Sequence, residues 1–161
     1  MSRVAVILSA LLLAACGKEI GDACSSSLDC GDGTNPARVC DFESPSGYCT
    51  EVGCDWDTCP SEAVCVRFYA ASFANKPCVL ATEDVSTDDC TFDEVCTLRG
   101  QCVPRTSEVR YCMKTCGGSG DCRDQYECRD QALMVEHGGE PVPKPGERLG
   151  TDLQAFCAPA P

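Results

Sequence analysis

The sequence has little of what catalysis requires. Its one histidine, His137, lies in a segment rich in glycine and proline, with no nucleophile beside it. A lone loop histidine does not make a catalytic pair. The serines at residues 25–27 lack the Gly-x-Ser-x-Gly context of a nucleophile elbow. The sequence therefore predicts no catalytic residue, and we expect that the chain is not an enzyme.

A second absence concerns cysteine spacing. None of the 17 cysteines forms a Cys-x-x-Cys pair, and the nearest neighbours are Cys112 and Cys116. Structural zinc sites, iron–sulfur clusters and thiol redox centres use such tightly spaced cysteines. The spacing therefore favours neither a metal cage nor a redox centre, and it predicts no cofactor.

Positive charge and long apolar runs are also scarce. The chain has 13 Lys and Arg against 25 Asp and Glu, a formal net charge of −12. No basic cluster is present that would bind a phosphate backbone. The apolar run at residues 4–13 falls well short of the roughly 20 residues that cross a bilayer. We therefore expect no nucleic-acid partner and no membrane-spanning helix.

What the sequence does have begins with an export signal. Residues 1–15 carry one positive charge, the apolar run and then small residues, as a secretory signal peptide does. The Leu-Ala-Ala-Cys segment that ends at Cys16 resembles the lipobox of bacterial lipoproteins. That resemblance implies acylation of Cys16 and cleavage before it, with residues 16–22 holding the lipid and a short tether. Ordinary cleavage after Cys16 is the alternative. Two or more acyl chains anchor a protein stably to a membrane.

The other sixteen cysteines predict a disulfide scaffold. An even set can pair completely, and a high density of cysteines in an exported chain is typical of disulfide-stapled folds. Leucine and isoleucine are few outside the signal peptide, so the disulfides are expected to supply much of the stability. These residues are Cys24, Cys30, Cys40, Cys49, Cys54, Cys59, Cys65, Cys78, Cys90, Cys96, Cys102, Cys112, Cys116, Cys122, Cys128 and Cys157.

Aligning the cysteines exposes a repeated four-cysteine unit. In four copies an Asp lies just before one cysteine, a second cysteine follows, and a third closes the unit. Three copies have a leading cysteine upstream. The third copy lacks one at the matching place, and Cys112 is assigned to it instead. The last two cysteines of each unit are expected on the arms of a hairpin, such as residues 63–69 and 78–80 in the second unit. Turns are expected at residues 44–47 and at Arg99-Gly100. The closing cysteines are Cys49, Cys78, Cys102 and Cys157.

The predicted fold class is small and disulfide-rich, with tandem short β-hairpin units, little helix, and two modules of about four disulfides each. Module 1 covers residues 23–80, an acidic linker covers residues 81–89, and module 2 covers residues 90–161. Residues 136–150 have too much Gly and Pro for a regular element and are expected to form an exposed loop. Residues 131–136 are expected to form one helical turn or a short strand.

The acidic residues beside the cysteines have two interpretations. One repeated position holds an Asp, where its side chain can cap a turn; it is occupied by Asp29, Asp57, Asp89 and Asp121. Alternatively, Asp29, Asp32 and Asn35 loosely resemble the calcium-binding end of low-density-lipoprotein-receptor type A repeats. Pro36 stands where that family has its key acidic residue. Three oxygens also fall short of the six or more that calcium takes.

Aromatic residues supply the candidate binding surface. Trp56 lies in the short gap between two cysteines, where a whole indole is hard to bury. With Phe68, Tyr69 and Phe73 it is predicted to form an aromatic patch of the kind that anchors interfaces. The alternative is that these aromatics build the small core of the first module.

The lipobox and the four-cysteine units together resemble the cysteine-rich lipoproteins that are abundant in myxobacteria and their relatives. More loosely, they resemble EGF-like and Dickkopf-like disulfide modules. The resemblance implies an exported, lipid-anchored protein, and Gly17 in place of an Asp after Cys16 favours the outer membrane. We therefore expect a recognition or structural module of the cell envelope that contacts an unidentified protein or glycan.

Alternatives to this interpretation are an inhibitor of an envelope hydrolase, in which residues 136–150 would occlude a protease cleft, an envelope enzyme, and a calcium-binding module. Within each unit we expect the first cysteine to pair with the third and the second with the fourth. Examples are Cys54 with Cys65 and Cys59 with Cys78. Cysteine spacing alone leaves other connectivities open.

Overall fold

The computed structural model describes residues 17–31, 33–70, 76–83 and 89–161. Within these ranges the chain forms short strands, one α-helix and several 3-10 turns. The strands are β1 (Arg38–Asp41), β2 (Tyr48–Glu51), β3 (Ala63–Tyr69), β4 (Lys76–Pro77), β5 (Glu94–Cys96), β6 (Gln101–Pro104), β7 (Glu108–Lys114), β8 (Tyr126–Arg129), β9 (Glu140–Pro141) and β10 (Phe156–Pro159), and the helix α1 is Gln131–His137. The prediction of a small disulfide-rich fold of short hairpin units with little helix is confirmed. None of the described helices has the length and apolarity to cross a membrane.

The strands pair in small antiparallel sheets. β1 pairs with β2, and β8 pairs with β10. A three-stranded sheet has the order β7-β3-β9, and a second one has the order β4-β6-β5. We call the β7-β3-β9 sheet the central sheet, because β3 and β7 are the longest strands and pair over seven residues each.

The first arm of every hairpin starts in the same way. A turn closes with a backbone hydrogen bond from the first strand residue to the carbonyl three residues earlier, as from Glu94 to Thr91 at 2.9 Å. The third cysteine of the unit is then the third residue of the strand, and the fourth cysteine lies directly opposite it. These facing pairs are Cys40 and Cys49, Cys65 and Cys112, Cys96 and Cys102, and Cys128 and Cys157. In each unit, therefore, two cysteines face each other across a hairpin. Each of them forms a disulfide with a cysteine of the segment that precedes the hairpin.

All sixteen described cysteines are paired in eight disulfides. The bonds are Cys24–Cys40, Cys30–Cys49, Cys54–Cys65, Cys59–Cys112, Cys78–Cys96, Cys90–Cys102, Cys116–Cys128 and Cys122–Cys157. Once Cys112 is assigned to the second unit and Cys78 to the third, every unit follows the expected first-to-third and second-to-fourth pattern. The expected Cys54–Cys65 bond is confirmed. The expected Cys59–Cys78 bond is wrong.

The physical reason is strand pairing. β3 was expected to form a hairpin with residues 78–80, but it pairs along its whole length with β7, which places Cys112 opposite Cys65. Cys78 instead follows β4 at the edge of the β4-β6-β5 sheet, where its amide donates to the Gly100 carbonyl at 2.9 Å. Cys78 is thus the leading cysteine of the third unit, and Cys112 is the closing cysteine of the second.

The third unit is consequently nested inside the second. The chain leaves the second unit after β3, forms the third unit from Cys78 to Cys102, and returns as β7. Two disulfides, Cys59–Cys112 and Cys78–Cys96, join residues 23–80 to residues 90–161. The central sheet also contains strands from both segments.

A single main core joins the first, second and fourth units. Its fully buried side chains include Ile20, Tyr48, Val66, Met134 and Phe156. The Tyr48 hydroxyl accepts from the Lys114 amide at 2.9 Å and donates to the Cys157 carbonyl at 3.3 Å, so one side chain ties the three units together. Buried cysteines form two further small clusters, one in the first unit and one in the third.

The segment after β8 is more ordered than expected. Residues 131–136 belong to α1, which begins after Asp130, whose carboxylate accepts from the Leu133 amide at 3.0 Å. The expectation of an exposed loop over residues 136–150 is wrong at its start: β9 pairs with β3, and Glu140 and Val142 are buried. Residues 144–148 are exposed as expected. The two glycines before β9 do not prevent pairing, because a two-residue strand needs only its own backbone groups.

Two predicted hairpin turns are confirmed. Gly100, at φ +68°, closes the β5–β6 turn by donating to the Thr97 carbonyl at 2.9 Å. Gly47, at φ +67°, ends the β1–β2 turn, and a Cβ at this position would overlap the Cys24 carbonyl oxygen. Only glycine fits both the backbone conformation and the space at residue 47.

Candidate functional site

The turn before β5 carries the most exposed large apolar side chain among the described residues. Phe92 is 99% exposed. Full burial of a phenylalanine side chain is worth roughly 1.5–3 kcal/mol, so the folded chain leaves that stabilisation unused. We call residues 90–94 the Phe92 turn.

The Phe92 turn is held by a dense set of hydrogen bonds. The Thr91 amide donates to the Glu94 carboxylate at 2.9 Å, and the Thr91 hydroxyl donates to the Asp93 carboxylate at 2.8 Å. Arg105, the residue after β6, adds two hydrogen bonds. Its backbone amide donates to the Asp93 carbonyl at 2.9 Å, and its side-chain Nε donates to the Phe92 carbonyl at 3.3 Å. Both sides of this turn are therefore fixed.

Disulfides add covalent restraint on either side of the turn. Cys90 is bonded to Cys102 and Cys96 is bonded to Cys78. The Glu83 carboxylate also accepts from the Cys90 amide at 3.2 Å. A side chain presented on such a restrained turn loses little conformational freedom of the backbone when a partner binds it.

The other units show that the repeat itself does not require an aromatic residue here. The position equivalent to Phe92, directly after the carbonyl that closes the turn, holds Pro36, Ser61 and Asp124 in the other three units. Each is small or polar. Phe92 is thus a feature of this unit and not of the fold.

Exposed carboxylates and a recess lie near Phe92. Asp89 and Asp93 are exposed and lie within three residues of it in the chain. A cavity of about 660 Å³ adjoins the turn, and its lining includes Phe92, Arg105 and Arg148. The turn therefore combines one exposed apolar side chain with nearby carboxylates and a recess.

Sequence reasoning missed Phe92. The signal that could have found it is the Thr-Phe-Asp-Glu order, which places a large apolar residue at a turn position among polar neighbours. A turn is a surface element, so an apolar residue there is exposed unless another segment covers it.

The aromatic residues singled out from the sequence lie in two different places. Trp56 is 42% exposed and lines a cavity of about 500 Å³, where the Lys144 ammonium lies 5.9 Å from its ring centre. Phe68 and Tyr69 line another cavity. Phe73 lies outside the described residues.

Phe68 and Tyr69 are neighbours on β3 but make different contacts. Phe68 packs edge-on against Tyr111 and Phe156 at 6.2 Å and so contributes to the main core. The Tyr69 hydroxyl donates to the Glu108 carboxylate at 2.7 Å. Burial raises the pKa of this phenol, and the Glu108 carboxylate raises it further.

The capping role of the repeated Asp is confirmed in two units. The Asp29 carboxylate accepts from the Ser25 and Ser26 amides at 2.8 and 3.1 Å, and these bonds hold its pKa below the ordinary value. The Asp121 carboxylate accepts from the Gly117 amide at 2.8 Å in the same manner.

The second and third units cap this segment differently. In the second, Asp55 makes the local bonds, including one from the Trp56 amide at 2.8 Å. In the third, the Glu83 carboxylate accepts from the Asp89 amide at 3.1 Å. The Asp57 and Asp89 side chains therefore do not repeat the bonds that Asp29 and Asp121 make.

Two of the predicted calcium ligands already accept hydrogen bonds from backbone amides. Asp29 accepts the amides of the preceding serines, and the Asn35 side-chain oxygen accepts from the Ala37 amide at 3.0 Å. Asp32 lies outside the described residues. Elsewhere in the described chain, the groups close enough to share an ion are disulfide-bonded cysteines, in one case with Glu83, and bonded sulfurs are not thiolate ligands.

His137 is not simply a solvated loop residue. It is the last residue of α1, and its Nδ1 lies 2.7 Å from the Glu127 carboxylate, which also accepts from Arg129 Nε at 2.7 Å. Burial opposes ionisation of Glu127, but the two hydrogen bonds outweigh it and lower the pKa of this carboxyl group. The carboxylate thus fixes the orientation of the imidazole ring.

Comparison with known proteins gives no relative. No protein-family model matches the chain, and neither the curated proteins nor the solved structures include a match.

Proposed function

We propose that this chain is an exported recognition module, anchored in the outer membrane through acylated Cys16, that presents Phe92 to a partner protein. The observation that carries the proposal is the 99% exposure of Phe92 on a turn fixed by hydrogen bonds and two disulfides. Aromatic side chains that enter a pocket of the partner are frequent hot spots of binding energy.

Two features support export and anchoring. Eight disulfides form and persist in oxidising compartments outside the cytoplasm. The segment after Cys16 is also packed against the first unit: Ile20 is fully buried, and the Gly21 amide donates to the Cys49 carbonyl at 2.9 Å. An anchor at Cys16 would hold the first unit within a few residues of the membrane.

The chemistry around Phe92 defines the partner. Asp89 and Asp93 are exposed within three residues of Phe92, and the whole chain is acidic. A complementary surface has an apolar pocket bordered by Lys or Arg, since matched charges speed association and favour the correct partner. Such a pocket is a property of a protein surface and not of a nucleic acid.

Site-specific photo-crosslinking tests the recognition site. A photoreactive phenylalanine analogue at residue 92, in intact cells, is expected to capture a protein that the same analogue at residue 42 does not. Phe42 is the matched control, because it is 66% exposed in the β1–β2 turn. With the captured protein purified, Phe92→Ala is expected to weaken binding by about 30-fold, the effect of a hot-spot residue, and Phe42→Ala to leave it unchanged. Equal effects of the two substitutions would contradict the proposal.

Fractionation tests the anchor separately. Cys16→Ala is expected to move the protein from the membrane fraction to the soluble fraction, with loss of the mass of the acyl groups. Cys16→Ser gives the same prediction, since the hydroxyl cannot form the thioether. A protein that stays with the outer membrane after either change is held there by something other than a lipid.

A second function is favoured by the same turn. A rigid, disulfide-flanked turn that exposes one apolar residue also suits the specificity pocket of a protease that cleaves after aromatic residues. Residues 136–150 suit this role less, because Glu140 and Val142 are buried. Inhibition of such a protease by the intact protein, lost on Phe92→Ala and with the turn uncut, would assign the inhibitor function.

A further inference from the structure

A second recess, the interunit cavity, lies between the third unit and the central sheet. Its volume is about 450 Å³. The walls come from β3, the β5–β6 hairpin, and the end of α1 with the glycines after it. This size falls within the range of clefts that hold small organic ligands.

One wall of the interunit cavity is apolar. Phe68 and Leu98 contribute partly exposed side chains to it, and the other apolar residues of the wall, Val103 and Met134, are buried. An alkyl chain in contact with this wall would be removed from water, and each buried methylene group would add to the binding free energy through the hydrophobic effect.

The one acidic residue on the wall is already neutralised. Glu140 is 3% exposed, and its Oε1 lies 2.7 Å from Arg67 Nη2 and 2.9 Å from Arg67 Nε. Its second oxygen accepts from the Leu98 amide at 2.7 Å. Glu140 therefore offers a ligand no free carboxylate, and the pair with Arg67 adds no net charge.

The uncompensated charge on the wall is positive. Arg99, at the tip of the β5–β6 turn, is exposed and forms no ion pair within the described part of the chain. The other titratable wall residues are engaged: Tyr69 donates to Glu108, and the His137 Nδ1 is bound by Glu127. A guanidinium beside an apolar recess matches a carboxylate on an alkyl chain.

We propose that the interunit cavity binds an aliphatic carboxylate, with its alkyl chain against Phe68 and Leu98 and its carboxylate at Arg99. The net charge of −12 repels anions at a distance. At physiological ionic strength, however, charges farther away than about 8 Å are largely screened, so the adjacent Arg99 dominates. This site is separate from the Phe92 turn, and Phe92→Ala is expected not to affect it.

Calorimetric titration of the oxidised protein with hexanoate, octanoate, decanoate and dodecanoate tests the contribution of the ligand's alkyl chain. We expect the affinity to rise about fourfold for each added methylene until the cavity is full. Leu98→Trp is expected to abolish binding by filling the space. Absence of binding by all four acids, or equal binding by the Leu98→Trp variant, would overturn the proposal.

The head group is tested with decanol and decyltrimethylammonium beside decanoate. We expect decanoate to bind at least tenfold more tightly than decanol, and the cation most weakly. Arg99→Gln is expected to remove the advantage of decanoate and leave decanol unchanged, while Lys144→Gln, at an exposed cation outside this cavity, changes neither. Equal affinities of the intact protein for decanoate and decanol would refute the role of Arg99.

Discussion

The Cys59–Cys112 bond gives the sharpest test of the nested architecture. Replacing both residues by Ala removes one native pair and should leave every other cysteine bonded. The Cys59→Ala/Cys78→Ala variant should instead leave the partners of both residues, Cys112 and Cys96, without a bond. Thiol titration therefore distinguishes the two connectivities: the first variant has no more free thiols than the parent, and the second has two more.

The expected loss of stability follows from the length of chain that the bond closes. Cys59 and Cys112 are 53 residues apart, and the Cys78–Cys96 bond shortens that path by the 18 residues it spans, to about 35. Loop-closure entropy for either length gives a loss of about 4 kcal/mol in the free energy of unfolding. The Cys54–Cys65 bond spans only 11 residues, so removal of that pair is expected to lose about 3 kcal/mol.

Guanidinium denaturation without reductant measures both losses. Trp56, the one tryptophan, lies between Cys54 and Cys59 and provides a fluorescence signal close to both bonds. The reasoning is refuted if the Cys59→Ala/Cys112→Ala variant loses less than about 1 kcal/mol, since the chain would then not depend on closure of the second unit. New free thiols in that variant would refute the connectivity itself.

Substitutions test three further features of the fold. Glu140→Gln leaves the largely buried Arg67 guanidinium without its carboxylate, and we expect urea denaturation to show a loss of about 3 to 5 kcal/mol, with a smaller loss when Arg67→Met is added. Gly47→Ala combines a positive φ with a steric overlap and is expected to cost about 2 kcal/mol or more in thermal denaturation, whereas Gly53→Ala, at φ +76° with open space, is expected to cost about 1 kcal/mol. Burial opposes ionisation of Glu108, but hydrogen bonds from neighbouring side chains outweigh it and hold its pKa below the ordinary 4.5. Its stabilising contribution is therefore present above that pH and lost as the pH falls through the lowered value, so Glu108→Gln should flatten the fall of Tm in acid.

Local features were predictable from the sequence because they depend on neighbouring residues. Gly100 closes the β5–β6 turn and Asp29 caps its segment, as their positions indicated. The same is true of the pairing pattern inside the first unit, where all four cysteines lie within 25 residues of one another.

The nesting was not predictable from cysteine spacing, because a closing cysteine is defined by the strand opposite it. Cys78 and Cys112 both follow Cys65 and both fit a hairpin by distance along the chain. One clue was present: Tyr111-Cys112 repeats Tyr48-Cys49, in which Cys49 closes the first unit, whereas Cys78 follows a proline. The candidate sites were harder still, since the exposure of Phe92 and the walls of the interunit cavity depend on how separate units pack.

The insertion of one unit into another affects how the chain matures. Synthesis releases the polypeptide from its N-terminus, so Cys59 becomes available 53 residues before its native partner, and Cys78 arrives in the interval. Oxidation in order of appearance would join these two and trap an incorrect isomer. Recovery takes attack by a thiolate and passage through a mixed disulfide, a slow exchange when uncatalysed. A host that produces this protein efficiently therefore needs a disulfide isomerase as well as an oxidant.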